Sequence, residues 1–148
     1  MVNETDTERA LKLFIVLSRA SKVVLEEANK LIETYKLNPT EFAVLELLYH
    51  KGRQPIQKIG QKILLSSGSM TYVVDKLEKK GLIERVFCKE DKRVTYMSIT
   101  TAGNELIEDI FPSHEKNING LMSALSETEQ ETAIELLKKL GLSIKNLS

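Results

Sequence analysis

Apolar positions recur along this chain with two different periods, and the changes of period divide it. Between Thr7 and Lys36, the residues Ala10, Phe14, Leu17, Ser21, Val24, Ala28, Leu31 and Tyr35 alternate steps of four and three, which predicts one long helix. Leu11, Leu25 and Ile32 widen its stripe beyond what a single neighbour covers. Met1–Asp6 is polar and is expected to fray. Asn38 as cap and Pro39 in the first turn open a second helix. Glu41 suits the positive end of its dipole, Phe42, Leu45, Leu48 and Tyr49 form its inner stripe, and Gly52 ends it.

The period then shortens. Ile56, Ile59 and Ile63 give a short helix one buried side, and the pattern breaks at Leu65–Gly68. Ser66, Ser67 and Ser69 crowd the start of the next helix, where hydroxyls cap free N–H groups. Met70, Val73, Val74 and Leu77 are its apolar stripe, leaving Ser69, Thr71, Tyr72, Asp75, Lys76 and Lys79 to face outward, and Gly81 stops it. Ile83–Phe87 and Val94–Ile99 are rich in β-branched and aromatic residues and read as strands around a charged tip, Lys89–Arg93. Gln54-Pro55-Ile56 is too short for an independent strand but fits as a third, edge strand of that sheet.

Thr100 or Thr101 opens another helix, with Leu106, Ile110, Phe111, His114, Ile118, Leu121 and Leu125 on its face. Pro112 lies inside this pattern and is expected to kink or divide it. Ser126-Glu127-Thr128-Glu129 is a capping box for a last helix, whose apolar face is Leu136, Leu137, Leu140 and Ile144. The fold class is therefore mainly α with a small β wing. One domain spans residues 1–148, with a winged helix-turn-helix lobe over 38–100 and helical dimerisation segments over 7–37 and 101–148. A homodimer is expected because both outer segments carry more apolar surface than one chain can bury.

Charge changes the picture in one place. The whole chain is formally neutral, yet Arg53–Tyr96 holds ten cations against five anions. A basic middle between acidic ends fits a lobe that faces phosphates. On that reading the helix Ser67–Lys80 enters a major groove of double-stranded DNA, with Ser69, Thr71, Tyr72 and Lys76 reaching bases or phosphates and Gln57 and Ser67 touching phosphate. Lys89, Lys92 and Arg93 act from the wing, and Asp91 orients Arg93 across the turn without touching DNA itself. Taken alone, the helix reads equally well as an ordinary amphipathic surface helix; a winged-helix module that binds protein instead of DNA is the corresponding alternative.

Catalytic chemistry is not assembled. His50 and His114 form no metal-spaced pair, no phosphate loop is present, and no enzyme, metal or cofactor is expected. No stretch reaches the length of a membrane span, and the short apolar run Leu13–Leu17 lacks the flanks of a signal peptide, so a cytoplasmic protein is expected. The single cysteine excludes an internal disulfide. Cys88 has two readings. It is a small strand residue, or, near Arg85 and Lys89, a thiolate open to quinones and peroxides.

The wing run Asp91-Lys92-Arg93, followed after five residues by Ile99-Thr100 and after two more by Gly103, resembles the wing signature of the MarR family. Gly68–Leu77 followed by Lys80-Gly81-Leu82-Ile83 is similar to the family's helix-turn-helix run. The wording of Leu37–Gly52 and Lys62–Ile83 most resembles the MhqR-like branch, whose members answer to quinones and related aromatics. The resemblance implies a dimeric repressor on a pseudo-palindromic operator, controlling detoxification genes. It also implies an effector pocket where the dimer helices meet the DNA lobe. Phe14, Leu17, Phe42, Leu45, Tyr49, Met70, Phe111 and His114 would line that pocket, although each also reads as plain core. The reactive cysteine of peroxide-sensing relatives lies near the N-terminus, where this chain has none, so that mechanism does not carry over.

Overall fold

The computed structural model describes residues 3–63 and 67–145, with the side chains of Ser67 and Gly68 left out. The break expected at Leu65–Gly68 and the cap expected of Ser66 thus fall largely outside the described residues. The first helix, α1 (Glu4–Glu33), begins three residues before the predicted start. Asn3 caps it by accepting the Asp6 N–H at 2.8 Å, so Asp6 is helical where fraying was expected. It also ends earlier, at Glu33, and a turn brings Lys36 to φ 61°, a left-handed conformation that a lysine seldom takes.

Helix α2 (Pro39–Lys51) opens with a full capping box: the Asn38 side chain accepts the Glu41 N–H, and the Glu41 carboxylate accepts the Asn38 N–H. The two-residue strand β1 (Gln54–Pro55) leads into α3 (Ile56–Lys62). Helix α4 (Ser67–Lys79) follows, then strands β2 (Ile83–Phe87) and β3 (Thr95–Ile99). The sheet is antiparallel in the order β1-β3-β2, with Pro55 opposite Tyr96 and the β2–β3 register running from Ile83↔Ile99 to Phe87↔Thr95. A proline is tolerated in β1 because that strand is an edge.

Helix α4 ends in a double turn. The Gly81 N–H reaches the Glu78 carbonyl at 2.9 Å and the Leu82 N–H reaches the Leu77 carbonyl at 3.1 Å, with Gly81 at φ 75°. This is the glycine-dependent stop that the sequence announces. It aims the chain directly into β2.

Helix α5 (Thr101–Met122) is capped by the Thr100 hydroxyl, which accepts the Gly103 N–H at 3.1 Å. Pro112 does not divide it. The residue is exposed and so is Glu108, whose carbonyl would have met the missing N–H, so water can take that acceptor. The buried face of α5 is Gly103, Ile107 and Ile110, rotated from the predicted stripe, and Leu125 lies past the helix end. Helix α6 (Glu127–Ile144) has the predicted Ser126–Glu129 capping box.

The core sits where α2, α3, α4 and the sheet pack against the first half of α5. Leu45, Leu48, Ile59, Met70, Val74, Leu77, Ile83, Met97, Ile107 and Ile110 interlock there, each essentially closed to solvent. Each such side chain contributes about 1.5–3 kcal/mol relative to exposure. Helix α1 sends only Ala28 and Ile32 inward, and α6 buries no residue. Leu13, Phe14, Val16 and Val23 on α1 and Leu136, Leu137 and Ile144 on α6 lie open on the single chain. Among the described residues no helix is long and apolar enough to cross a membrane.

Candidate nucleic-acid interface

Helix α4 has one face in the core and one face open. Met70, Val73, Val74 and Leu77 are buried, while Ser69, Thr71 and Tyr72 are exposed, Tyr72 by 67%. The flanks between these faces are occupied by ion pairs that the sequence does not announce. On one side Arg85 of β2 pairs with Asp75 and also donates from Nε to Glu78 at 3.2 Å. On the other, Lys80 donates to Glu41 of α2 at 2.8 Å, and the Lys76 ammonium lies 3.8 Å from the same carboxylate. Asp75, expected to face outward, is therefore tied to the wing, and Lys76 is shared with Glu41. The helix is held between α2 and the sheet with its hydroxyl-rich face forward. That is the division a groove-reading helix needs.

Glu41 is the polar residue that sequence reading undervalued. It is 1% exposed, and its carboxylate accepts from both Asn38 N–H and Lys80. Burial acts to raise its pKa, but the Lys80 hydrogen bond, the Asn38 N–H and the charges of Lys80 and Lys76 outweigh it, so the carboxyl titrates below the ordinary glutamate range. A carboxyl held low in the fold stabilises the native state above its unfolded pKa and ceases to do so as pH falls through its folded one. The advantage of the wild type over Glu41→Gln in denaturant midpoint should accordingly be full at pH 7 and shrink on acidification below the ordinary glutamate range. A gap independent of pH would exclude the ionised bridge as its source.

The wing tip is built on Asp91. Its carboxylate accepts the Arg93 N–H at 3.0 Å and Arg93 Nε at 3.1 Å, and its carbonyl accepts the Val94 N–H at 3.1 Å. The guanidinium of Arg93, held by the expected partner, points out of the protein with its side chain 91% exposed. The Arg93 side chain first, and its N–H second, hold the Asp91 carboxyl below its usual range. Lys89 and Lys92 beside it are exposed. Gln57 and Arg93, 36 positions apart in the chain, meet across a cleft of about 200 Å³ whose other walls are Pro55, Ile56, Val94 and Thr95. Arg53, which no motif singled out, stacks its guanidinium 5.2 Å from the Tyr96 ring.

Cys88 is half-buried, and its sulfur receives the Asp91 N–H at 3.4 Å. The expected help from Arg85 is absent, because that guanidinium is committed to Asp75 and Glu78. Cys88 instead lines a cleft of about 390 Å³ with Arg53, Phe87, Lys89 and Tyr96 among its neighbours.

The eight residues assigned to a pocket divide into three groups. Leu45 and Met70 belong wholly to the lobe core. Phe14 is 67% exposed on the single chain and Leu17 is half-buried. Phe42, Phe111, His114 and Tyr49 join a run of ring contacts through His50, a residue sequence reading passed over because it lacked a metal-spaced partner. His114 lies edge-on to Phe42 at 5.0 Å and 5.9 Å from Phe111; His50 bridges Phe111 and Tyr49 at 5.1 Å from each. Among the described residues the Nδ1 atom of His114 is buried without a hydrogen-bond partner. Phe111 and His114 also border an open cleft of about 410 Å³ whose far wall includes Met122 and Gln130.

Comparison with known proteins agrees with this geometry. Residues 37–95 match the MarR family. The chain is 58% identical to the HTH-type transcriptional regulator MhqR of Bacillus subtilis (strain 168), over 94% of this chain and 96% of that protein. Its fold is similar to that of a cysteine-to-serine mutant of E. coli MarR solved with operator DNA, with a TM-score of 0.82, 21% identity and coverage of 89% of this chain and 95% of that one. It is also similar to Bordetella bronchiseptica BpsR, whose DNA binding is regulated by 6-hydroxynicotinic acid, with a TM-score of 0.79, 21% identity and coverage of 88% and 98%. With a relative this similar along nearly its whole length, the chain belongs to the MarR family and is an HTH-type transcriptional regulator, not an enzyme.

Proposed function

We propose that this regulator is a cytoplasmic homodimeric repressor that binds a pseudo-palindromic operator and leaves it when a small aromatic or quinone ligand binds. One observation carries the reading: α4 exposes a hydroxyl-rich face, and the wing of the same lobe carries an outward arginine already oriented by Asp91. In this view residues 38–100 form the DNA lobe, and 7–37 with 101–148 form the dimer region. The open apolar faces of α1 and α6 are too large to leave in water and fit a two-fold partner. Two-fold symmetry then places the half-sites about one helical turn (~34 Å) apart. Ser69, Thr71, Tyr72 and Lys76 reach bases or phosphates in the major groove, Gln57 and Ser67 touch phosphate, and Lys89, Lys92 and Arg93 act from the wing.

For the effector, the ring run from Phe42 to Tyr49 and the unsatisfied Nδ1 of His114 offer stacking and one hydrogen bond, the requirements of a flat phenolic or quinone molecule. Phe14 and Leu17 would join from the dimer side, with Leu45 and Met70 as backing. A ligand releases DNA only by preferring the lobe separation that does not fit the operator. The expected targets are genes that detoxify such aromatics, as the likeness to MhqR suggests.

The test is titration of the purified protein against its own promoter DNA, with and without methylhydroquinone or benzoquinone, for the wild type and Cys88→Ser. Tight binding that the aromatic relieves in both proteins is expected. Relief in the wild type alone would move sensing to Cys88, a reading favoured by its place in a cleft beside Lys89 and Arg53. Relief in neither would cancel the quinone response, and no binding at all would cancel the repressor.

A further inference from the structure

Lys80 is the last residue before the Gly81 turn, and its ammonium reaches across the lobe to two acceptors. It donates to the Lys36 carbonyl at 3.0 Å and to the Glu41 carboxylate at 2.8 Å. The first acceptor is the carbonyl of the residue held at φ 61° between α1 and α2, and the second is the buried carboxylate that caps the start of α2. The C-terminal end of α4 is therefore anchored by one cation to the junction of the two helices behind it. Lys76, one turn earlier on α4, leans on the same carboxylate at 3.8 Å. On the other flank Arg85 holds Asp75 and Glu78.

We propose that Glu41 is a positioning residue for DNA binding: through Lys80 and Lys76 its buried carboxylate sets the seat of α4 on α2, and so sets operator affinity without touching DNA. The proposal rests on the DNA-binding reading above. A carboxylate is unusual at a position this buried, and apolar or amide side chains would fill the same volume. What only the charge supplies is a fixed direction for two lysine ammoniums and hence for the axis of α4. A groove-reading helix binds less tightly when it is tilted by a small angle, because its few base-edge hydrogen bonds are geometrically narrow.

Electrostatics and positioning predict opposite signs for one substitution, which makes the test sharp. Glu41→Gln removes a negative charge from beneath two lysines. Simple attraction to phosphates would then raise affinity for any duplex. If Glu41 positions α4, affinity for the promoter DNA falls roughly tenfold, the worth of one charge-assisted hydrogen bond, while affinity for an unrelated duplex is unchanged or higher. Lys80→Met should lose the same selectivity, Lys80→Arg should restore most of it, and Glu41→Gln with Lys80→Met should lose clearly less than the sum of the two single losses. Hydrogen exchange of the free proteins, read over the last two turns of α4, should be faster by about tenfold in Glu41→Gln and Lys80→Met.

Promoter affinity that holds or rises in a folded Glu41→Gln protein would overturn the proposal, as would exchange unchanged in α4. A double variant whose loss equals the sum of the two single losses would do the same, since Glu41 and Lys80 would then act independently. Failure of the underlying reading looks different: the wild type itself would not distinguish promoter from unrelated duplex, and the exchange measurement alone would then decide whether Glu41 seats α4. If Glu41→Gln does not fold, Lys80→Met carries both measurements.

Discussion

Gly103→Ala is expected to lower the stability of this protein by about 3 kcal/mol, the upper part of the range for adding atoms to a packed site. A Cβ at this position would lie 2.2 Å from the Leu82 carbonyl oxygen and 2.6 Å from Cγ1 of Ile99. Neither neighbour can give way cheaply. The Leu82 oxygen accepts the Thr100 N–H at 3.0 Å, and Leu82 is held on its other side by its own N–H in the turn after Gly81. Thr100 is in turn fixed by donating its hydroxyl to the Gly81 carbonyl at 2.7 Å while capping α5 through the Gly103 N–H. The first turn of α5 is thus pressed against the start of the sheet with no room for a methyl group. The measurement is the guanidinium midpoint of Gly103→Ala beside that of Gly120→Ala, where an added Cβ meets nothing within 4 Å. The second variant should be neutral or gain up to about 1 kcal/mol from helix propensity. Equal midpoints would show that the α5–sheet contact relaxes freely.

The same glycine illustrates what was legible in the sequence. Its place in the wing signature was readable; the reason for it was not, because Leu82 and Ile99 approach it only once the sheet is paired. Local devices read well for the same reason that they are local. Asn38-Pro39, Gly81 and the Ser126–Glu129 box specify ends within four residues, and Gln54-Pro55 was recognisable as an edge strand. Asn3 was missed as a cap because a polar terminus reads as frayed, although its side chain accepts the Asp6 N–H three residues later.

Side-chain pairing across the lobe was not legible. A glutamate in the first turn of a helix reads as a dipole partner, and nothing near Glu41 announces Lys80, which lies 39 positions away. Helical spacing assigned Asp75 and Lys76 to the outer face, but it fixes only an angle around the axis. Whether a residue at the flank meets water or a neighbouring strand depends on how the helix is packed, and here Arg85 and Glu41 occupy those flanks. The apolar pocket candidates failed to sort themselves for a related reason. Core and cavity wall have the same composition, so Leu45 and Met70 could be separated from the ring run around His114 only by burial and distance.

The largest effect on function is expected from the wing. Arg93→Ala should weaken operator binding by roughly 1–3 kcal/mol and lower the slope of log affinity against log salt, by about one for each phosphate that is no longer neutralised. In a symmetric dimer both wings change together, so the slope should fall by about two. The cause lies at the tip: Asp91 receives Arg93 at both its N–H and Nε, so the guanidinium is ordered before DNA arrives and little rotamer freedom remains to be given up on binding. Asp91→Asn separates that ordering from charge. It removes a negative group from the phosphate-facing side, which by attraction alone would strengthen binding. If ordering dominates, affinity falls, by less than in Arg93→Ala, and the salt slope stays close to that of the wild type because the cation is still present. Titrations of the three proteins across a salt series decide between these outcomes. A slope unchanged by Arg93→Ala would remove the wing arginine from the interface and leave the groove face of α4 to supply the binding.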